Sequence, residues 1–296
     1  GPALTPLAWS LLTRKPIVIE HHAFQTVCPN GQLLYEPSQS PCTGHFMAGR
    51  HRECLRCTAT EGALEGAKLW LLTFLRRFLS KRATVNIMPT RWLGGVLALP
   101  RVATILHGLD TSRGPFVRNP AARPVIVFQG RLVATKGVRV LLEAANILRR
   151  QSLPFELRII GDGPERGSLE QLVTEWGLAP QVRFLGSLPA CELDAQLAQA
   201  SVVVIPSLGG EVFGLVAAEN MLRGLSVVAA DLGALVEVVG DAEDLARHLA
   251  ELFRDPGGAA HLGVRGRARA LEFFSRERMI EAHASLYRNL RVPAGR

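Results

Sequence analysis

Two basic residues follow the first of several predicted buried strands. Val125–Phe128 is a short apolar run, Gly130-Arg131 comes directly after it, and Lys136-Gly137 opens the next predicted helix. A lysine at a helix start opposes the helix dipole unless an anion is bound there. Arg131 and Lys136, with the N–H groups of that helix start, therefore suit a phosphate group. Solvated surface charges are the alternative, and the sequence leaves both open.

A glycine-rich loop, Gly209–Gly214, precedes another predicted helix and carries a glutamate. Glu211 lies in this loop and Glu219 lies in the helix. Carboxylates repel phosphate, but they accept hydrogen bonds from hydroxyls, as one does from the ribose diol in dinucleotide-binding folds. Apolar neighbours surround Glu219, so we expect it near the core with a partner. A helix cap at Glu211 and a surface position for Glu219 are the structural alternative.

Four of the five cysteines fall within thirty residues: Cys28, Cys42, Cys54 and Cys57. Only Cys54 and Cys57 have the spacing of a metal-binding knuckle, whereas a full zinc ribbon shows two such pairs. A structural zinc site is thus one interpretation, and reduced, packed thiols are the favoured one. A disulfide is disfavoured, because an odd cysteine number and the lack of a visible secretory signal indicate a reducing cytoplasm.

The elements that must position these residues alternate between strand and helix. Predicted strands at 125–128, 157–160, 182–185, 202–205 and 226–229 are separated by amphipathic helices. This alternation predicts an open, doubly wound parallel sheet, in which ligands bind at the carboxyl ends of the strands.

The first part of the chain has a different composition. The whole excess of eight positive charges lies in residues 1–120, which suggests an anionic partner. Predicted strands at 16–19, 84–88 and 102–106 flank the cysteine-rich loop and a basic, apolar helix at about 63–82. Within it, residues 67–82 suit an anionic membrane surface, although packing on the first domain is the favoured interpretation.

Short motifs in a fixed order carry a resemblance to a family. They comprise Gly130-Arg131-Leu132 with Lys136-Gly137, Gly161-Asp162-Gly163-Pro164, Val182–Gly186, Pro206-Ser207, the Glu211-x7-Glu219 block, Asp231-Leu232-Gly233 and Glu237. The set resembles the family 4 retaining glycosyltransferases of the GT-B fold. Three further stretches are similar to the family's other motifs: Val18–His22, Thr104–Asp110 and Phe274–Met279. The implied fold class is α/β and GT-B-like, with a doubly wound parallel-sheet C-terminal domain and a truncated Rossmann-like N-terminal domain.

The resemblance implies transfer of a sugar from a nucleotide-diphosphate donor of UDP, GDP or ADP type, with retention and without a required cofactor. Arg131 and Lys136 would neutralise the departing diphosphate, Glu211 would hold hydroxyls of the donor sugar, and His22 would face the reacting centre. Glu219 would bind the ribose. The remaining donor-binding residues are Gly130, Gly161, Arg183, Phe184, Phe213, Gly214 and Leu215, with the Arg183–Leu185 segment against the base.

The resemblance also implies domain limits. Residues 1–112 correspond to an acceptor-side domain that lacks the family's opening strand, glycine-rich loop and helix. This domain is followed by a linker at 113–124 and a donor-binding domain at 125–275. The chain would end in a helix at 276–296 that crosses back to the first domain. The stretch from Gly240 to Ala246 also lacks the strand and loop that the family usually has there.

Two further function classes compete with sugar transfer. A non-catalytic or degenerate scaffold that only binds a nucleotide sugar is the main alternative. Nucleic-acid binding ranks last, because the bases form no recognised nucleic-acid motif. The acceptor (a glycan, a lipid or a small molecule) is not specified, and the expected location is the cytoplasm or the inner membrane face.

Overall fold

The computed structural model describes residues 15–112, 116–235 and 245–290. The chain divides into two compact units. Unit 1 comprises Gly1–Gly108 and Arg276–Arg296, and unit 2 comprises Leu109–Ser275.

Unit 1 contains a parallel sheet and a small antiparallel ribbon. Its strands are β1 (Val18–Glu20), β2 (Leu34–Tyr35), β3 (Ser40–Pro41), β4 (Val85–Met88) and β5 (Val102–Thr104). The parallel sheet has the order β1-β4-β5, and β2 pairs with β3. The first three helices are α1 (His51–Cys57), α2 (Ala63–Arg82) and α3 (Arg91–Leu97). The three strands predicted for this part of the chain are therefore present, with ends shifted by up to two residues.

Helix α2 is the basic, apolar helix that the sequence predicts. On one side the helix packs against the cysteine-rich segment. The ring centroids of Trp70 and His51 are 5.6 Å apart, and those of Phe74 and Phe46 are 4.7 Å apart. Other apolar side chains of the helix remain exposed: Leu64, Leu71 and Phe78. No described helix is both long and apolar enough to cross a membrane. Membrane contact through 67–82 stays a prediction.

Unit 2 is built on a five-stranded sheet whose paired strands are all parallel, as predicted. Its strands are β6 (Val125–Gln129), β7 (Glu156–Ile160), β8 (Val182–Gly186), β9 (Val202–Ile205) and β10 (Val227–Ala229), in the order β10-β9-β6-β7-β8. Its helices are α4 (Val138–Arg150), α5 (Arg166–Glu175), α6 (Ala190–Ala198), α7 (Leu215–Leu222), α8 (Leu245–Arg254) and α9 (Pro256–Phe273). The central position of β6 explains its unbroken apolar sequence.

Side chains of β6 alternate between two hydrophobic cores. Ile126 and Phe128 belong to the core that includes α4, whereas Val125 and Val127 belong to the core on the other face. Burial on both faces is typical of parallel strands between helical layers. This double packing fixes the strand in the centre of the sheet, so that its carboxyl end and those of its neighbours lie together.

Two helices of unit 2 carry no prediction from the sequence. Helix α9 begins at Pro256, and the following Gly257-Gly258 pair has the composition of a loop. In the structure Asp255 caps the helix by accepting a hydrogen bond from the Gly258 N–H at 2.8 Å, and proline at the first position needs no N–H partner. Tertiary packing then supports the helix, since a Cβ on Gly263 would lie 2.2 Å from the Gly224 carbonyl oxygen.

The described part of the predicted linker packs on unit 2. The Asn119 N–H donates to the Ala198 carbonyl at 2.9 Å, and Arg118 donates to the Ala200 carbonyl at 2.7 Å. The last helix, α10 (Arg276–Asn289), belongs to unit 1. There Gly108 approaches it so closely that a Cβ would lie 2.5 Å from the Arg276 Cα. Residues 113–115 and 291–296 lie outside the described residues.

Candidate active site

Three loops meet at the carboxyl edge of the unit 2 sheet. They follow β6, β7 and β9, and backbone atoms of neighbouring loops touch. Gly137 has φ of +64°, and a Cβ there would lie 1.9 Å from the Pro206 carbonyl oxygen. In addition, the Thr135 carbonyl accepts hydrogen bonds from the Leu208 and Gly209 N–H groups at 2.8 and 3.0 Å. The first and third loops therefore form one surface.

Gly130 and Gly161 join the first loop to the second. A Cβ on Gly161 would lie 1.9 Å from the Gly130 carbonyl oxygen, and φ of Gly161 is +129°. The Gly130 N–H donates to the Ile160 carbonyl at 2.9 Å. Both predicted glycines thus lie at the expected edge, where the close approach of two backbones excludes a side chain.

Lys136 and Glu211, predicted from separate motifs, form an ion pair across this surface. Lys136 Nζ lies 2.5 Å from Glu211 Oε1, and the Ser207 hydroxyl donates to the same oxygen at 2.7 Å. The Glu211 side chain is only 16% exposed and that of Lys136 is 31% exposed. Because both described contacts use Oε1, the second carboxylate oxygen is the one left to accept a hydrogen bond from a ligand hydroxyl.

Arg131 lies in the same loop as Lys136, and α7 begins at the end of the loop that carries Glu211. The Arg131 side chain is exposed, and no hydrogen bond or ion pair joins its guanidinium to the described residues. Gly214 precedes α7 with φ of +89°, a conformation that favours glycine, and Leu215 is half-exposed at the first helical position. The N–H groups of the first helical turn have no carbonyl partner within the helix. An anion bound here would meet both the helix dipole and the guanidinium.

The side chain of Phe213 is buried, and the donor-binding role expected around Phe213 and Gly214 belongs to backbone N–H groups and stays a prediction. The Phe213 ring is 2% exposed and packs edge-on against Phe274, with centroids 5.4 Å apart. The side chain therefore anchors the glycine-rich loop in unit 2.

Glu219 lines a cavity of about 600 Å³ in unit 2, a volume within the usual range of ligand pockets. Its side chain is half-buried, and no hydrogen bond or ion pair joins its carboxylate to the described residues, so the partner expected from its apolar neighbours is not present among them. The other residues that line the cavity are Leu109, Asp110, Phe116, Val117, Ala190, Asp194, Leu222, Arg223 and Arg267. Arg223 is paired with Asp194 at 3.1 Å, so the cavity combines the Glu219 carboxylate with this ion pair, Arg267 and apolar walls.

The structure does not bring Arg183 to the carboxyl edge. Arg183 is the second residue of β8 and pairs with Arg158 in the register of the sheet, whereas the site lies beyond Gly186. Its side chain is 71% exposed and its Nε lies 3.7 Å from Glu156 Oε1, at the start of β7. Phe184 packs partly buried against the main core. A contact of these two side chains with a nucleotide base at the predicted place is thus not supported by the geometry.

His22 lies in unit 1 within a group of polar side chains. Its ring stacks on that of His107, with centroids 5.3 Å apart, and its Nε2 lies 3.5 Å from Glu20 Oε1. Glu20 also lies 3.9 Å from His283. Burial lowers the pKa of His107, and the nearby His22 lowers it further. The residue that precedes His22, His21, is buried and hydrogen-bonded to Asn86, so His22 is the more accessible of the two adjacent histidines.

The four clustered cysteines also come together in unit 1. Cys28, Cys42, Cys54 and Cys57 line one small cavity, and none of them forms a disulfide. The remaining cysteine, Cys191, is exposed at the start of α6 in unit 2.

Several residues at these sites received no role from the sequence. Ser207 lies two residues after the end of the buried strand β9, and a polar residue just beyond a strand's carboxyl end is a signal that could have identified it. Arg223 and Arg267 line the cavity beside Glu219 from two helices, and no local pattern connects them. Glu237, part of the resembling motif set, lies outside the described residues.

Comparison with known proteins finds a family and relatives that are similar to most of unit 2. Residues 123–255 match the family described as "Glycosyl transferases group 1". A curated relative, the GDP-mannose-dependent alpha-(1-6)-phosphatidylinositol monomannoside mannosyltransferase of Mycolicibacterium smegmatis, is 33% identical over 56% of this chain and 50% of its own length. The chain thus spans half the length of that relative. The matching family and this relative are glycosyltransferases.

Solved structures show the same fold. Sucrose-phosphate synthase of Thermosynechococcus elongatus is 26% identical, with a TM-score of 0.65 over 75% of this chain and 62% of the other. HepE of Anabaena, solved with UDP and glucose, is 20% identical, with a TM-score of 0.67 over 97% of this chain and 74% of the other. These likenesses confirm the predicted fold class, α/β and GT-B-like.

Proposed function

We propose that this chain is a glycosyltransferase that moves a sugar from a nucleoside-diphosphate donor to a hydroxyl group of an acceptor, with retention at the anomeric carbon. The observation that carries the proposal is the carboxyl edge of the unit 2 sheet. There the loop that carries Arg131 and Lys136 is packed against the loop that carries Glu211 and leads into α7. We further infer membership of family 4, on the order of the motifs.

The donor diphosphate is the ligand that fits the positive part of this surface. Arg131 offers an exposed guanidinium, which suits bidentate binding of phosphate oxygens. The first-turn N–H groups of α7 add donors that are fixed in direction before the ligand binds. As the bond to the sugar breaks, negative charge grows on the diphosphate, and these groups stabilise it without reorganisation.

The two glutamates would hold the hydroxyl-bearing parts of the donor. Glu211 keeps one oxygen for Lys136 and Ser207 and offers the other to a sugar hydroxyl. Glu219 faces the cavity and would accept hydrogen bonds from the ribose. Ala190, at the start of α6, also lines this cavity, so we expect the base beside the loop after Gly186 rather than beside Arg183.

The reaction exchanges one bond at the anomeric carbon for another. The bond from this carbon to the diphosphate oxygen breaks, and a bond to the acceptor oxygen forms. The acceptor proton ends on the released nucleoside diphosphate. The role predicted for His22, which lies in unit 1, stays a prediction.

A thermal-shift titration with UDP, GDP and ADP tests donor binding. We expect the melting temperature to rise with one nucleotide, because a ligand that binds only the folded state stabilises it. Glu219→Ala and Arg131→Ala should each weaken binding by roughly 10- to 150-fold, the loss expected for a hydrogen bond to a charged group. Arg183→Ala is the matched control and should bind like the wild type. No shift with any of the three nucleotides would contradict the proposal.

The alternative is a scaffold that binds the nucleotide sugar and does not transfer it. The two functions differ in the fate of the donor. A transferase supplied with the nucleotide sugar of the preferred base should release the nucleoside diphosphate, by transfer or by slow hydrolysis, and Lys136→Ala should abolish the release. Tight binding of the donor with no release above the variant's background would favour the scaffold.

A further inference from the structure

We propose that the outer face of α2 in unit 1 binds an anionic lipid surface and holds the protein there peripherally. Four large apolar side chains on this face are exposed and form what we call the apolar stripe: Leu64, Leu71, Phe74 and Phe78. The sequence alone favours packing of this helix on the first domain, with its bases in solvent. The inference does not depend on the donor site, which belongs to unit 2.

The two faces of α2 have the opposite polarity to that of an ordinary surface helix. Small residues spaced seven apart are buried on one face: Gly66, Thr73 and Ser80. Large apolar residues with the same spacing are exposed on the other face: Leu64 (86% exposed), Leu71 (64%) and Phe78 (51%). Residues seven apart lie on nearly the same side of a helix, so each set forms one line. A surface helix normally turns its apolar side inward, so packing of unit 1 does not explain the stripe.

Contacts on the buried face fix the rotation of α2 and keep the stripe outward. A Cβ on Gly66 would lie 3.1 Å from the Thr58 carbonyl oxygen and 2.8 Å from its Oγ1, so the helix is closely packed there. Further along, Thr73 is fully buried, and the Asn86 side-chain amide donates to the Ser80 carbonyl at 3.0 Å. Turning the helix to bury the stripe would break these contacts and bring larger side chains into the same space.

The stripe has the length and composition of a helix that lies in a membrane interface. From Leu64 to Phe78 it extends about 21 Å along the helix axis, at 1.5 Å per residue. Leucine and phenylalanine on one face, with lysine and arginine beside them, are typical of such interfacial helices. Contiguous exposed apolar surface of this kind marks a binding surface.

Basic side chains beside the stripe suit anionic lipids. Lys68, Lys81 and Arg82 are exposed, and the Arg82 guanidinium carbon lies 3.8 Å from the centre of the Phe78 ring. Glu65, which pairs with Lys68 at 3.0 Å, is the single acid of the helix against five bases. Lysine is depleted in protein–protein interfaces, whereas each basic residue near an anionic membrane adds to the attraction. The charges therefore favour a lipid surface over a protein partner.

Co-sedimentation of the intact chain with lipid vesicles tests the proposal. We expect binding to vesicles of phosphatidylcholine mixed with phosphatidylglycerol, and roughly tenfold weaker binding to phosphatidylcholine alone, because the attraction to anionic headgroups is lost. Leu71→Ser/Phe78→Ser should weaken binding to the anionic vesicles by roughly tenfold or more, since two apolar side chains no longer enter the interface. Leu262→Ser/Val264→Ser, which changes two exposed apolar residues of α9, is the matched control and should bind like the wild type.

A charge variant separates the electrostatic part of the binding from the apolar part. Lys81→Gln/Arg82→Gln should weaken binding to the anionic vesicles by roughly tenfold or more and make its salt dependence shallower, while binding to phosphatidylcholine alone stays unchanged. The altered side chains of both double variants are exposed, so we expect the urea denaturation of the wild type in each. Equal binding of the wild-type chain to neutral and anionic vesicles would overturn the proposal.

Two further results would also overturn it. One is the absence of binding to anionic vesicles, or binding that Leu71→Ser/Phe78→Ser retains in full. The other is a dimer in analytical ultracentrifugation that this variant dissociates, because the stripe would then belong to a contact with a second copy of the chain. Neither result affects the nucleotide titration, which contains no lipid.

Discussion

At the scale of single residues, burial decides which titratable groups of unit 1 affect stability. His21 is buried, and its Nε2 lies 2.9 Å from Asn86 Oδ1. The Asn86 amide already donates to the Ser80 and Pro100 carbonyls, so its oxygen is the acceptor and His21 Nε2 carries the proton. The adjacent His22 is exposed. Of these two adjacent histidines, the buried His21 is therefore the one that we expect to affect the stability of the fold.

His21 should make the stability of the fold depend on pH. Burial lowers the pKa of His21 below its ordinary value of 6.5, against the opposing effect of the Asn86 hydrogen bond. As the pH falls below about 6.5, the unfolded chain takes up a proton that the folded chain does not, so the free energy of unfolding decreases. His21→Gln should reduce this decrease between pH 7.5 and 5.5 in chemical denaturation.

The matched control for that experiment is His261→Gln. His261 is exposed on α9, and its removal should leave the pH dependence of the wild type. Parallel pH profiles of His21→Gln and the wild type would contradict the assignment of a buried, neutral His21.

At the scale of elements, the loops at the carboxyl edge are held by glycines where two backbones meet. Gly137 combines φ of +64° with contact to the Pro206 carbonyl, so it links the loop that carries Lys136 to the loop that carries Glu211. Strands β6 and β9 fix the roots of these loops. The ion pair thus depends on close loop packing as well as on the two charged side chains.

Gly137→Ala should destabilise unit 2. The left-handed conformation alone costs a non-glycine residue about 1–3 kcal/mol, and the contact with Pro206 adds to that cost. The matched control is Gly167→Ala in α5, where φ is not positive and a Cβ meets nothing within 4 Å. That control should be neutral or stabilising by up to about 1 kcal/mol, since alanine is the better helix former. Urea denaturation measures the free energy of unfolding of both variants. Equal stability of the two would contradict the packing argument.

At the scale of the whole molecule, the two units carry separate chemistry. Unit 2 contains the surface proposed to bind the donor diphosphate and the cavity beside Glu219. Unit 1 contains the thiol cavity and the histidine group around His22. Each unit has its own parallel sheet.

Hydrogen exchange should therefore report binding of the donor in unit 2. The preferred nucleoside diphosphate should slow exchange in peptides covering 130–137 and 209–222, because it binds the loops and the start of α7. Mass spectrometry of the chain with and without the nucleotide measures the change. Protection of 28–57 by the nucleotide, with none at 130–137, would contradict the assignment of the donor site to unit 2.

The sequence by itself determined the architecture of unit 2 and the place of its site. Alternating strands and helices leave few arrangements other than a parallel sheet, and residues after Phe128, Ile160 and Ile205 must then share one edge. The sequence also predicted the ends of some elements closely: helix α2 was expected at about 63–82 and spans Ala63–Arg82. Helix α9 was not predicted because its Pro-Gly-Gly start has a loop composition, and only packing against unit 2 decides otherwise.

Only the tertiary structure decided which side chains meet. The Lys136–Glu211 pair joins residues 75 positions apart, and no local pattern encodes that distance. Arg183 lies in a motif of the resembling family, yet its position at the start of β8 directs it to Glu156. The thiol cavity likewise depends on how a turn, a hairpin and α1 pack together. Periodicity is a property of neighbours in sequence, whereas a site depends on loops packed across the sheet.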